Sequence, residues 1–200
     1  MAQVPNIQKW KDAKRYLEGL RGSIEADVVP LLSTLGGAPF AICREVHSYI
    51  DHLGHLFTGD AGVGKRFREY LKQIMKYIDD NYDIRANEVY EMYRCGSVHE
   101  FEPKVLVNDN KEYMAWLCYR GQRSSIIDIQ GQKVGVKHLI PLMPSGSKIY
   151  YLPVSTSCLV GDLIKSIELF INSRQESDRV KAWNNAASVL SSPKKCKFVV

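Results

Sequence analysis

Apolar residues recur at three- and four-residue steps through Trp10, Ala13, Leu17, Leu20, Ile24 and Val28, which is the stripe of a helix with one buried face. Gly19 and Gly22 weaken that helix, and Pro30 kinks or ends it. Gly36-Gly37-Ala38-Pro39 then punctuates the chain, with Pro39 suited to a first helical position. A second helix carries Phe40, Cys43, Val46, Tyr49, Ile50, Leu53, Leu56 and Phe57. Beyond the loop TGDAGVG, Phe67, Tyr70, Leu71, Ile74, Met75 and Ile78 mark a third. A further helix runs from about Arg85 to Phe101, and Pro103 forces the chain out of it.

From Lys104 to about Ser155 the period changes. KVLVN, EYMAWLCY, SSIIDI, KVGVKHLIPL and KIYYLPV are short runs rich in β-branched and aromatic residues, and the turn-forming segments NDNK, QGQ and PSGS separate several of them. Helical spacing resumes with Leu159, Val160, Leu163, Ile164, Ile167, Phe170 and Ile171. A last helix, capped by Ser177 or Asp178, buries Val180, Trp183, Ala187 and Leu190. The expected fold is α+β and mainly α. It is one domain over 1–200, a helical bundle from 6–103 and 156–192 with an antiparallel β-meander inserted at 104–155.

Composition narrows the setting. The 200 residues are 45% hydrophobic, enough for one substantial core, yet no run approaches the eighteen apolar residues of a membrane span. The first segment, MAQVPNIQKWKDAKRYL, carries charges where a signal peptide needs apolar residues, so a cytoplasmic chain with no membrane contact is expected. The five cysteines, Cys43, Cys95, Cys118, Cys158 and Cys196, are scattered without a C-x-x-C pair and read as reduced thiols.

The net charge of +5 permits an anionic partner without demanding one, so clustering matters more than the total. Lys65, Arg66, Arg68, Lys72 and Lys76 crowd the third helix against a single opposing Glu69. RNA phosphate contact and a solvated helix face are the two readings of that group.

Gly59-Asp60-Ala61-Gly62-Val63-Gly64-Lys65-Arg66 matches a phosphate-binding loop until its last place, where Arg66 stands instead of a magnesium-holding hydroxyl. A helical stretch precedes it where a strand is required, so a helix–helix loop is expected. His47, Asp51 and His55 lie four residues apart on one helix face, a weak candidate set for a transition metal or else a polar stripe beside the core.

The segment Tyr93-Arg94-Cys95-Gly96-Ser97-Val98-His99-Glu100-Phe101 holds the strongest chemical candidate. A histidine near neutral pKa takes a proton from a ribose 2′-hydroxyl or gives one to the leaving oxygen, while a guanidinium stabilises charge on the phosphate oxygens. In an α-helix Arg94 and His99 stand about 140° apart, so convergence asks for a distortion, for instance at Gly96. The competing account is a helix-end ion-pair cluster with Glu91 and Glu100. One protomer offers one histidine here, and a two-fold dimer would supply the second.

The arginine, four intervening residues and the histidine on a helix resemble the HEPN (higher eukaryotes and prokaryotes nucleotide-binding) superfamily of helical bundles. In one toxin branch an aromatic follows two places after the histidine, and Val98-His99-Glu100-Phe101 is similar. The resemblance implies a metal-independent endoribonuclease that acts as a homodimer in toxin–antitoxin or anti-phage systems. Arg94 and His99 would be its catalytic pair, RNA its substrate, an antitoxin or another protein a partner, and no cofactor would be used. The alternative is a non-catalytic helical scaffold whose β-rich part recognises RNA, a nucleotide or a partner protein.

Overall fold

The computed structural model describes residues 7–33, 39–59, 62–100, 103–129, 131–172 and 184–185, without the side chains of residues 7–10, 12 and 97–100. Helix α1 (Ile7–Asp27) buries Ala13, Leu17 and Ile24, and Val28 just beyond it, the stripe read from the spacing. A 3₁₀ turn at Val29–Ser33 ends it around Pro30. Helix α2 (Pro39–Thr58) lies in the centre, packed against α3 (Val63–Gln73), the later α6 (Thr156–Ile171) and the segment that carries Arg94. Its buried face holds Ile42, Cys43, Val46, Ile50, Leu53 and Leu56.

At Gly54 the backbones of α2 and α3 come close together. A Cβ built there would stand 2.4 Å from the Arg66 carbonyl oxygen and 2.8 Å from its carbonyl carbon. A glycine in mid-helix costs helix propensity, and here it permits two backbones to touch.

The helix expected from about Arg85 to Phe101 is not one regular α-helix. Two short α-helices, α4 (Asn81–Ile84) and α5 (Ala86–Glu88), lead into a π-helix spanning Val89–Glu100. Its inner side is set by Val89, Met92 and Tyr93, all buried. The Tyr93 hydroxyl donates to the Leu152 carbonyl at 2.8 Å and accepts from the Leu117 N–H at 3.3 Å, which ties the π-helix to two strands.

All five strands form near the expected runs: β1 (Leu106–Val107), β2 (Tyr113–Tyr119), β3 (Ser124–Ile129), β4 (Gln132–Lys137) and β5 (Ile149–Ser155). Their pairing corrects the meander. β1-β2-β5 is one sheet in which β2 and β5 run parallel, and β3-β4 is a separate hairpin. A parallel pair needs a long crossover, and the hairpin lies within it, at residues 120–148. The reason lies in burial: β5 brings Leu152 and Val154 to the core, whereas Ile126 of the hairpin is 75% exposed. After β4 the buried Leu139 takes a left-handed turn, φ 57°, and Leu142 pairs with Tyr151 on the free side of β5.

Ser155 ends β5 and caps α6, its Oγ accepting from the Cys158 N–H at 3.1 Å. One apolar cluster joins α1, α2, α3, the π-helix, β5 and α6. The expected last helix and its Val180, Trp183, Ala187 and Leu190 lie outside the described residues. Asn184 and Asn185 alone are described there, both helical, and Asn185 Nδ2 donates to the Phe57 carbonyl at 2.9 Å.

Candidate active site

Asp51 on α2 is the point where the chemistry-bearing helices meet. Arg66, brought close by the α2–α3 contact at Gly54, donates Nε to Asp51 Oδ1 and Nη2 to Oδ2, each at 2.9 Å. This is the two-pronged fit of guanidinium to carboxylate. Arg94 on the π-helix donates Nη2 to the same Oδ2 at 3.2 Å. All three are largely covered, with side-chain exposures of 11% for Asp51, 20% for Arg66 and 11% for Arg94.

The π-helix changes where His99 falls. Hydrogen bonding from i to i+5 gives about 4.4 residues per turn, so positions five apart are roughly 50° apart around the axis instead of 140°. The backbone of His99 therefore follows Arg94 by one turn on nearly the same face. The His99 side chain lies outside those described. The distortion that the sequence asked for extends over the twelve residues of the helix and is not confined to Gly96.

The expected ion-pair cluster is different in detail. Glu91 stands 3.8 Å from Arg68, Arg94 is held by Asp51, and the Glu100 side chain lies outside those described. The basic group on α3 divides. Arg66 turns to Asp51, and Arg68 lies 4.6 Å over the Tyr90 ring. Lys65 is exposed, Lys72 is half-buried, and Lys76 in the following 3₁₀ turn lies 5.2 Å over Tyr77.

The glycine-rich loop joins two helices, with no strand before it. Gly64 is inside α3, where a Cβ would stand 2.8 Å from the Tyr90 hydroxyl, so that glycine accommodates a tyrosine. His47, Asp51 and His55 share a face of α2 but gather no metal set: His47 is buried between the Phe67 and Tyr93 rings, and Asp51 is taken by two arginines. Among the described residues no group of three His, Cys, Asp or Glu side chains is placed to hold a metal ion.

A second polar cluster escaped the sequence reading. The Ser155 N–H donates to His138 Nδ1 at 3.0 Å, which puts the ring proton on Nε2, 3.1 Å from the Tyr82 hydroxyl. Tyr82 donates to Asp162 Oδ2 at 2.9 Å, and Arg123 Nη2 donates to both Asp162 oxygens at 2.8 Å. Arg123 also pairs with Asp79. Asp162 was the available signal, an aspartate among Leu159, Val160, Leu163 and Ile164 of an apolar helix. Burial raises its carboxyl above the usual range, and the arginine opposes that shift. The cluster ties α4, the crossover and α6 together.

Burial, reinforced by Arg94, pushes the His47 imidazole down to about 3, and burial with Arg123 does the same for His138, to about 3. Both rings are neutral in the folded chain and take up a proton more readily unfolded, where the ordinary value is about 6.5. The unfolded state thus binds more protons, and stability falls as pH drops through the window from 6.5 toward 3. Each ring removes roughly 2 kcal/mol between neutral pH and pH 5. Urea unfolding at the two pH values measures the loss, and His47→Leu is expected to lose less than the wild type. An equal loss in both would contradict the His47 contribution.

No family model matches the chain, and neither a curated protein nor a solved structure matches it.

Proposed function

We propose that this chain is a metal-independent endoribonuclease in which Arg94 and His99 act on one scissile phosphate. The observation that carries the proposal is the π-helical register, which brings the two backbone positions onto nearly one face, with Arg94 anchored by Asp51. The ribose 2′-oxygen attacks phosphorus as its proton passes to an imidazole. The P–O5′ bond then breaks as the leaving oxygen takes a proton. The products are a 2′,3′-cyclic phosphate and a 5′-hydroxyl. Arg94 neutralises charge growing on the phosphate oxygens.

A second copy of the chain supplies the other imidazole in a homodimer. Lys65, Arg68, Lys72 and Lys76 draw in the RNA backbone, while Arg66 belongs with Asp51. An RNA substrate implies a cytoplasmic setting. Cleavage of the cell's own RNA implies a toxin or anti-phage role and an antitoxin or other restraining protein.

Cleavage of a mixed RNA substrate is expected to persist in EDTA and to fall by about 100-fold or more in His99→Ala, a general acid or base contributing on that order. Arg94→Ala is run beside it with a thermal melt to separate lost chemistry from lost folding. Full activity in pure His99→Ala defeats the assignment.

The scaffold reading draws on two observations. Arg94 is 11% exposed and paired with a carboxylate, as a structural arginine would be. Val107, Tyr113 and Ile149 lie side by side across β1, β2 and β5, at exposures of 61, 49 and 37%, an apolar row open to a partner. It predicts no turnover in any RNA assay.

A further inference from the structure

The β3-β4 hairpin offers an open edge. Among the described residues β3 pairs with β4 alone, so its other side carries unpaired main-chain groups. Which groups face outward follows from the register. The connection from Ile129 to Gln132 holds two residues, so the closing pair exchanges hydrogen bonds, and bonded pairs recur at every second residue. The His138 N–H donating to the Arg123 carbonyl at 2.8 Å continues the same alternation below the hairpin. Arg123, Ser125, Ile127 and Ile129 therefore face β4, and Ser124, Ile126 and Asp128 turn their N–H and C=O groups outward.

Such an edge is normally defended by lysine, proline, a bulge or a covering element. The six residues of β3 contain no lysine, proline or bulge, their one charge is Asp128 near the turn, and Ile126 at the middle is 75% exposed. β1, by comparison, is an edge of two residues.

We propose that β3 pairs antiparallel with β3 of a second copy of this chain, about a two-fold axis at Ile126, to form a four-stranded sheet across the dimer. The outward groups of Ser124, Ile126 and Asp128 then make about six main-chain hydrogen bonds, two for each facing pair. Ile126 meets Ile126 of the second copy. Opposite each is Gly135, where a Cβ would find nothing within 4 Å, so the apolar centre has room to close.

Ser124 faces Asp128 of the other copy. Asp128 Oδ1 already accepts the Gly131 N–H at 2.7 Å, which leaves Oδ2 for the serine hydroxyl. Lys133 lies opposite Asp128 and Lys137 opposite Ser124, so each cross-strand row of the dimer sets one carboxylate among two ammonium groups. The self-pairing is complementary in shape, hydrogen bonding and charge. It rests on the hairpin alone and holds whether or not the chain cleaves RNA.

The test uses the full chain. Facing residues of a bonded pair have Cα atoms about 5.5 Å apart, which suits a disulfide. With oxidised glutathione as the electron acceptor, Ile126→Cys is expected to form a covalent dimer at least about tenfold faster than Lys133→Cys, whose thiol lies one strand away from the axis. Wild-type protein, with its native thiols, sets the background. Sedimentation should show a wild-type dimer and a folded Ile126→Lys monomer, because Ile126 is exposed in the single chain, with its melting temperature lowered only by the association it loses. A monomeric wild type, a dimer that survives Ile126→Lys, or equal cross-linking of the two cysteine variants would each overturn the pairing.

Discussion

Asp51→Ala is expected to cost about 3–5 kcal/mol of stability and to abolish the RNA cleavage we propose, the larger of the two effects that the site predicts. The carboxylate is shared by Arg66 and Arg94, and its removal takes the Asp51 ion pair from two guanidinium groups whose exposure is 20% and 11%. Losing one partner of a covered ion pair is costly because the remaining charge keeps its desolvation penalty without its attraction. Against a total stability of about 5–15 kcal/mol, this brings the chain close to unfolding. Asp51→Asn keeps the shape and an acceptor and should fall between wild type and alanine. Urea unfolding measures both. A loss below about 1 kcal/mol in Asp51→Ala would make the triad a surface ion pair in energetic terms. Activity measured where the variant is still folded reports whether Arg94 is held in place for the phosphate.

Gly54→Ala should destabilise by about 3 kcal/mol, at or above the usual range for overpacking. The new methyl would stand 2.4 Å from the Arg66 carbonyl oxygen and 3.3 Å from the Phe67 nitrogen. Both are α3 backbone atoms, so no side chain can rotate out of the way and the helices must separate. Separation uncovers Phe67, Tyr70 and Leu71 and draws Arg66 away from Asp51, one turn earlier on α2. Gly22→Ala is the control: nothing lies within 4 Å of its Cβ, and it should gain about 0.5–1 kcal/mol of helix propensity. A thermal melt of the two variants reads opposite signs. A neutral Gly54→Ala would mean that α2 and α3 do not touch at this point.

The candidate site was legible in part. Arg94 and His99 stand out because their side chains carry chemistry wherever the backbone places them, but an α-helical count sets them on different faces. The π-helix that realigns them is held through Tyr93 bonded to Leu152 and Leu117, partners 59 and 24 residues away. Asp51 stands out in the sequence only as a candidate metal ligand, because the arginines it binds lie on other elements. Gly54 carries no local signal of its role, since the residue that needs it, Arg66, lies on the next helix.

The order and kind of most elements follow from local pattern alone: α1, α2, α3, five strand segments and α6, with a helical segment through Arg94. Period and turn chemistry are local properties that each segment carries alone. Tertiary structure decided the parallel pairing of β2 with β5, the π-helical register and the meeting of Arg66 and Arg94 at Asp51. Each of these rests on burial and hydrogen-bond partners supplied by distant segments. Local hydrophobic spacing says which face of an element is apolar, and packing decides what that face meets.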